Sequence, residues 1–151
     1  MIILTNKFGN RVGLAAEKIA CVHHYGARNP RSLYSAVGVI CTGVRNPMHF
    51  DEHVFEPLMT HLSDRDVHFV PFHENCTFVC ISHVVSLVEV LERNKVVCLP
   101  ETTIDTVCTL ITLDATTWNS PTCLYFGPSE YTPYVVTVDK PLLEVEALLT
   151  A

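Results

Sequence analysis

No stretch of the chain approaches the roughly 20 consecutive apolar residues that a membrane-spanning helix needs. Its apolar residues come instead in short β-branched runs such as Val37 to Cys41, Phe78 to Ile81 and Val135 to Val138, which points away from a membrane partner. The opening Met1-Ile2-Ile3-Leu4-Thr5-Asn6-Lys7 lacks the basic region, apolar region and small-residue cleavage site of a secretion leader, so a cytoplasmic location is expected. No C-x-x-C pair occurs, which removes the commonest zinc and redox signatures. The Gly-x-Ser-x-Gly elbow, the phosphate-binding P-loop and the dinucleotide fingerprint are absent too. These absences favour a protein without catalytic activity over an enzyme.

What is present suffices for a core. The chain has 151 residues and 48% hydrophobic content, the size of one ordinary domain. Seven cysteines, an odd number, are spread through hydrophobic stretches, where a secreted scaffold would place an even set in loops. They read as reduced core residues behaving like small hydrophobes. Net charge is −6 and unevenly placed. Residues 1–50 hold six basic side chains against Glu17 alone, and residues 51–151 hold four against fifteen acidic ones. An acidic chain is a poor partner for nucleic acid, while its basic end suits phosphate or an acidic protein surface.

The two ends of the chain share a pattern. Val12-x-Leu14-x4-Ile19-x2-Val22 recurs as Val97-x-Leu99-x4-Ile104-x2-Val107. Each copy is followed by an apolar run ending in glycine, at Gly43 and Gly127, and then by a run that passes into helically spaced leucines behind Asp51 or Asp139. The expected fold is a β-rich α+β single domain over residues 1–151. Internally repeated antiparallel β meanders, 11–62 and 96–149, are each closed by a short helix and form one pseudo-symmetric unit around a connecting β segment, 67–92. That segment is open to reading as a partial third copy with Phe72 in the place of Leu14. The repeat predicts matched buried sets, with Leu14, Ile19, Ile40 and Phe55 corresponding to Leu99, Ile104, Leu124 and Leu143.

The start Met1-Ile2-Ile3-Leu4-Thr5, with Gly9, Leu14, Ile19 and Val22 behind it, resembles the short flagellar proteins of the FlbD type. The Val39-Ile40 strand and the Val54 to Leu62 helix fit the same layout, so the resemblance covers about residues 1–62. The chain departs from it by the stretch Tyr25 to Ser35 and by roughly ninety further residues. What the resemblance implies is a small β fold used for association, with no catalytic residues to carry over.

The segment His23-His24-Tyr25-Gly26-Ala27-Arg28-Asn29-Pro30-Arg31-Ser32-Leu33-Tyr34 joins two arginines, two histidines and two tyrosines in an expected loop between strands. Arginine forks bind phosphate or carboxylate bidentately, and tyrosine or histidine stacks on a base. His23, His24, Tyr25, Arg28, Arg31 and Tyr34 are therefore the candidate ligand-binding residues. The competing reading is a solvated loop whose arginines pair with the acidic remainder. All eight histidines fall between His23 and His83. His49 and His53 are spaced i, i+4 on an expected helix, the geometry that offers two imidazoles to one zinc ion, although no H-E-x-x-H pattern accompanies them. His73-x2-Cys76-x3-Cys80 is a second ligand-like cluster.

Three functional readings follow. The first is a non-catalytic binding protein that recognises a phosphate-bearing ligand, a nucleotide among them, or an acidic partner. The second is an oligomerising interaction or inhibitor protein in which basic and acidic parts of neighbouring chains meet, giving a homo-oligomer. The third is a zinc-dependent hydrolase using His49 and His53.

The cysteine reading is checked by mass. Denatured without reductant, the folded protein is expected to show every thiol available to alkylation, and a mass deficit of any disulfide pair would contradict it.

Overall fold

A computed structural model describes residues 1–25, 36–73, 76–96, 102–119 and 130–151. Its framework is a five-stranded antiparallel sheet made of β3 (Ile19–His24), β4 (Val37–Cys41), β5 (Met48–Phe50), β6 (Phe69–Phe72) and β7 (Thr77–Cys80), in the order β5-β4-β3-β7-β6. The run Ile19-Ala20-Cys21-Val22 is buried without alternation, and so are the five residues of β4. A strand reads as a continuous apolar run when both of its faces are covered.

Each face has its own cover. On one side lie the hairpin β1 (Ile2–Thr5) and β2 (Arg11–Leu14) and the helix α1 (Phe55–Asp64). Ile2, Leu4, Leu14, Leu58 and Leu62 from these elements pack with Ile19, Val22, Val37, Val39 and Phe50. On the other side lie a three-stranded antiparallel sheet, β8 (Val84–Val96), β9 (Thr102–Asn119) and β10 (Glu130–Val138), and the helix α2 (Leu142–Thr150). Ile111, Leu113, Val136, Val138, Val145 and Leu149 pack there against Ala20, Cys21, Ile40 and Val79.

The outer sheet is staggered. β8 pairs with β9 from Thr102 to Leu113, β10 pairs with it from Thr109 to Asn119, and all three strands run side by side only around Thr109 to Thr112.

The β-rich α+β expectation agrees with these elements, while the matched segments differ in detail. Residues 11–62 form β2, a 3-10 turn at Ala16–Lys18, β3, β4, β5, a second 3-10 turn and α1. Over 96–149 the described elements are the end of β8, β9, β10 and α2, and positions 102 and 103, which the spacing aligns with the first 3-10 turn, lie inside β9. The strand, 3-10 turn, strand corner does recur, in the expected connecting segment: β7 leads through Ile81–His83 into β8. Ala15 and Cys80 open the two corners with φ/ψ of −78/118 and −78/121. Phe72 lies one strand earlier, in β6, and does not take the place of Leu14.

The predicted buried set holds at Leu14, Ile19, Ile40 and Phe55. It fails at Leu143, which is 76% exposed. Pro141 stands at the N-cap, and the helix turns Val145 and Leu149, four residues apart, toward the core. Leu99, Leu124 and the side chain of Ile104 lie outside the described residues. Cys21, Cys41 and Cys80 are core residues as expected, and among the described residues no disulfide is formed.

One substitution in each layer tests whether the two cores unfold together. Leu58→Ala and Ile111→Ala, both at fully buried side chains, should each cost about 2 to 5 kcal/mol in urea unfolding. A variant with an unchanged midpoint would show its layer to be separate from the cooperative unit.

Candidate functional site

The residues named from sequence fall at the end of β3, where the chain leaves the central sheet. His23 and His24 belong to the strand and not to a loop. Successive strand residues point to opposite faces, so the two histidines enter different layers. His24 faces α1. Its ring stacks on Phe55 with centroids 3.7 Å apart, and its Nε2 lies 2.6 Å from Glu52 Oε1.

His23 faces the outer sheet. Its Nδ1 is 3.2 Å from Thr77 Oγ1, its Nε2 meets the Tyr134 hydroxyl of β10, and Cys21 Sγ stands 3.6 Å away. The Tyr25 ring stacks on the imidazole, centroids 5.4 Å apart and planes 17° from parallel. Gly38, directly across the ladder from His23, makes room for this stack: a Cβ there would stand 3.0 Å from Tyr25 Cε2.

Electrostatics define what this cluster can do. Burial, with the neighbouring His73 adding to it, lowers His23 to about 4. The ring is therefore neutral near pH 7, donating through one nitrogen and accepting through the other, which two hydroxyl partners satisfy. Burial also raises the Cys21 thiol, and burial followed by Cys21 raises the Tyr25 and Tyr134 phenols. A cysteine nucleophile needs a thiolate, usually beside an imidazolium. Here the thiol keeps its proton and the imidazole lacks the second one, so the Cys21–His23 contact is a packing contact.

Arg28, Arg31 and Tyr34 lie outside the described residues. Tyr25 is the last described residue before that segment and is 42% exposed. The clefts bordered by Asp66, Val67 and His68, about 360 and 300 Å³, hold none of the six ligand-binding candidates.

The zinc expectation at His49 and His53 rested on one helix presenting both. That premise is corrected: His49 sits in β5 opposite Gly38, and His53 lies in the 3-10 turn Glu52–Val54 that precedes α1. The strand holds on through Phe50, fully buried opposite Val37, so helix cannot begin before it. His49 is lowered by burial and by Lys7. In the second cluster, His73 Nε2 donates to Thr137 O at 2.7 Å and Cys80 Sγ lies 3.2 Å from Ser82 Oγ. Among the described residues no group of three or more histidine, cysteine or acidic side chains converges as metal ligands do.

Sequence reasoning missed a third histidine site. His83 is buried, with Nε2 donating to Glu17 O at 2.7 Å and Nδ1 2.7 Å from Asp114 Oδ1. Thr42 Oγ1 is 3.3 Å from the same Nδ1 and donates to Asp114 at 3.2 Å. No local pattern marks these residues, because they come from four separate parts of the chain.

No protein-family model, no curated protein and no solved structure matches the chain. Function must be sought in its own geometry.

The lowered His23 has a thermodynamic signature. Between pH 6.5 and 4 the unfolded chain binds a proton at residue 23 that the folded chain refuses. This part of the stability is complete above pH 6.5 and is lost as pH falls toward 4, by at most ~3 kcal/mol. His23→Gln keeps a donor and an acceptor but cannot titrate, so its urea midpoint should fall less between pH 7 and pH 4.5. Equal losses in both proteins would place the titration elsewhere.

Proposed function

We propose that this chain is a non-catalytic binding protein that holds an anionic group, a phosphate-bearing ligand or a carboxylate-rich protein surface, at the segment following Tyr25. The observation that carries the reading is the anchored Tyr25 ring. It is stacked on His23 and 42% exposed, an aromatic platform held in place before any ligand arrives. Pre-organisation of this kind reduces the entropy lost on binding.

The histidines do not supply the charge. His23 is neutral near pH 7, and His24 is engaged with Glu52. The cations for an anion are therefore Arg28 and Arg31, three residues apart around Asn29-Pro30, which converge on one group if the proline holds a turn. The partner's recognisable chemistry is negative charge beside a planar face.

A second reading, an oligomerising interaction protein, is favoured by a different observation. Val85, Val88 and Leu91, all on β8, are at least half exposed.

Calorimetric titration with inorganic phosphate and with a nucleoside diphosphate tests the binding reading. The Arg28→Ala/Arg31→Ala double variant should bind both about tenfold or more weakly at an unchanged melting temperature. Tyr25→Ala should weaken the diphosphate alone, since only a base can use the ring. Lost thermal stability with retained affinity would make the arginines structural partners of the acidic remainder.

A further inference from the structure

Two stretches of the chain present the same order of elements among the described residues, apart from the 3-10 turn Glu52–Val54 that precedes α1. β1, β2, the 3-10 turn Ala16–Lys18, β3, β4, β5 and α1 are followed by β6, β7, the 3-10 turn Ile81–His83, β8, β9, β10 and α2. The likeness extends to detail when position 16 is laid on position 81. The ladder slips between Ile19 and Cys21, where β3 leaves the first turn, and between Val84 and Ser86, where β8 leaves the second. In the hairpins the pairs Ile2↔Leu14 and Leu4↔Val12 answer to Val70↔Val79 and Phe72↔Thr77. His24 stacks on Phe55, the first residue of α1, and its counterpart Glu89 accepts the amide of Leu142, the first residue of α2.

The two stretches meet at one sheet edge. β7 adds to β3, pairing Val79 with Cys21, Phe78 with Val22 and Thr77 with His23. Around this joint Phe69 and Phe78 of the second hairpin pack on the first core, and Ala20 and Cys21 of β3 pack against the outer sheet.

The counterparts of both sides of that joint are open. Among the described residues β2 pairs with β1 alone and β8 with β9 alone, and an unpaired edge is a template for strand addition. Met1, the counterpart of Phe69, is 81% exposed and lies with Ile3 over Gly13, the counterpart of Phe78. Val85 and Val88, the counterparts of Ala20 and His23, are 64% and 50% exposed. The first hairpin thus leaves bare the face that the second buries, and β8 leaves bare the face that β3 buries.

We infer that β2 of one copy adds to β8 of the next as β7 adds to β3, so that copies of the chain join head to tail. The register of the inner joint sets Leu14 against Ser86, Gly13 against Leu87 and Val12 against Val88, all clear of the slip at Val85. One place further along, Arg11 stands against Glu89, a pair of unlike charge. Attraction has the same sense over the whole chain, since residues 1–50 hold six basic side chains and one acidic, and residues 51–151 hold four basic and fifteen acidic. The contact is heterologous, because each copy gives one surface and receives on another. It rests on the oligomerising reading and is independent of the anion-binding one.

A mixing experiment with the full chain tests this by sedimentation. The unmodified chain should show species heavier than a monomer that grow with concentration. Arg11→Glu/Gly13→Glu, at exposed positions, blocks the hairpin, and Val85→Lys/Val88→Lys blocks β8. Each variant alone should be monomeric with the far-UV spectrum and melting behaviour of a folded chain. The two mixed should form a one-to-one complex, because each keeps the surface that the other has lost. Should either double variant melt early, Arg11→Glu or the exposed Ser86→Lys takes its place in the same mixture. The inference is overturned by a blocked, folded variant that still associates alone, which would mean a contact of like surfaces, or by blocked variants that stay apart when mixed. An unmodified chain that associates regardless of both sets of substitutions would sink this contact and leave the oligomerising reading standing, whereas a monomeric unmodified chain would sink both.

Discussion

Everything in this protein depends on burying a five-stranded sheet from both sides at once. Ile19, Ala20, Cys21 and Val22 are fully buried, yet they feed two different cores, with Ile19 and Val22 turned to the α1 side and Ala20 and Cys21 to the outer sheet. The shift in ladder register between Ile19 and Cys21 lets consecutive residues serve one face. Neither cover alone removes enough apolar surface for a sheet that is hydrophobic on both sides. The helix and hairpin on one side and the sheet and helix on the other are thus mutual requirements.

Layers that must stay together need polar fastening where their edges meet, and histidine supplies it. His23 reaches from β3 to Tyr134 in β10, His73 from the β6–β7 turn to the carbonyl of Thr137, and His83 from the β7–β8 corner to Asp114 in β9 and to the carbonyl of Glu17. The contacts to Tyr134, Thr137 and Asp114 run between the central sheet or its corners and the outer sheet, and the bond to Glu17 ties the β7–β8 corner to the β2–β3 corner. An imidazole suits this work because its two nitrogens point in different directions and each can find a partner. The concentration of histidine between positions 23 and 83 invites a metal-site reading from sequence, whereas these three rings serve as cross-links between layers.

The sequence makes the strands legible as short β-branched runs, and the leucine spacing places both helices, α1 and α2, within a few residues. Burial of Cys21, Cys41 and Cys80 follows from their apolar neighbours. Local pattern does not reveal which run pairs with which. Continuous burial erases the two-residue alternation in β3 and β4 that would mark an inner and an outer face, so His23 and His24 read as loop when they continue a strand. The pairing of β3 with β7, more than fifty residues later in the chain, has no signature in either segment. Leu143 misleads for a related reason, because apolar spacing around α2 is compatible with more than one buried face and only the packing of Val145 and Leu149 selects between them.

The two-sided burial of the central sheet also constrains how the chain can be made. Synthesis delivers β1 to β5 and α1 first, and that part can close one face of the sheet while the rest is still being translated. The residues that cover Ala20, Cys21, Ile40 and Val79 belong to β9, β10 and α2, at the far end of the chain. At typical elongation rates of about 5 to 20 residues per second, the opposite face waits several seconds for its cover. A nascent chain therefore passes through a stage in which half of its sheet is finished and half is bare, and during that interval its surface is as apolar as its eventual interior.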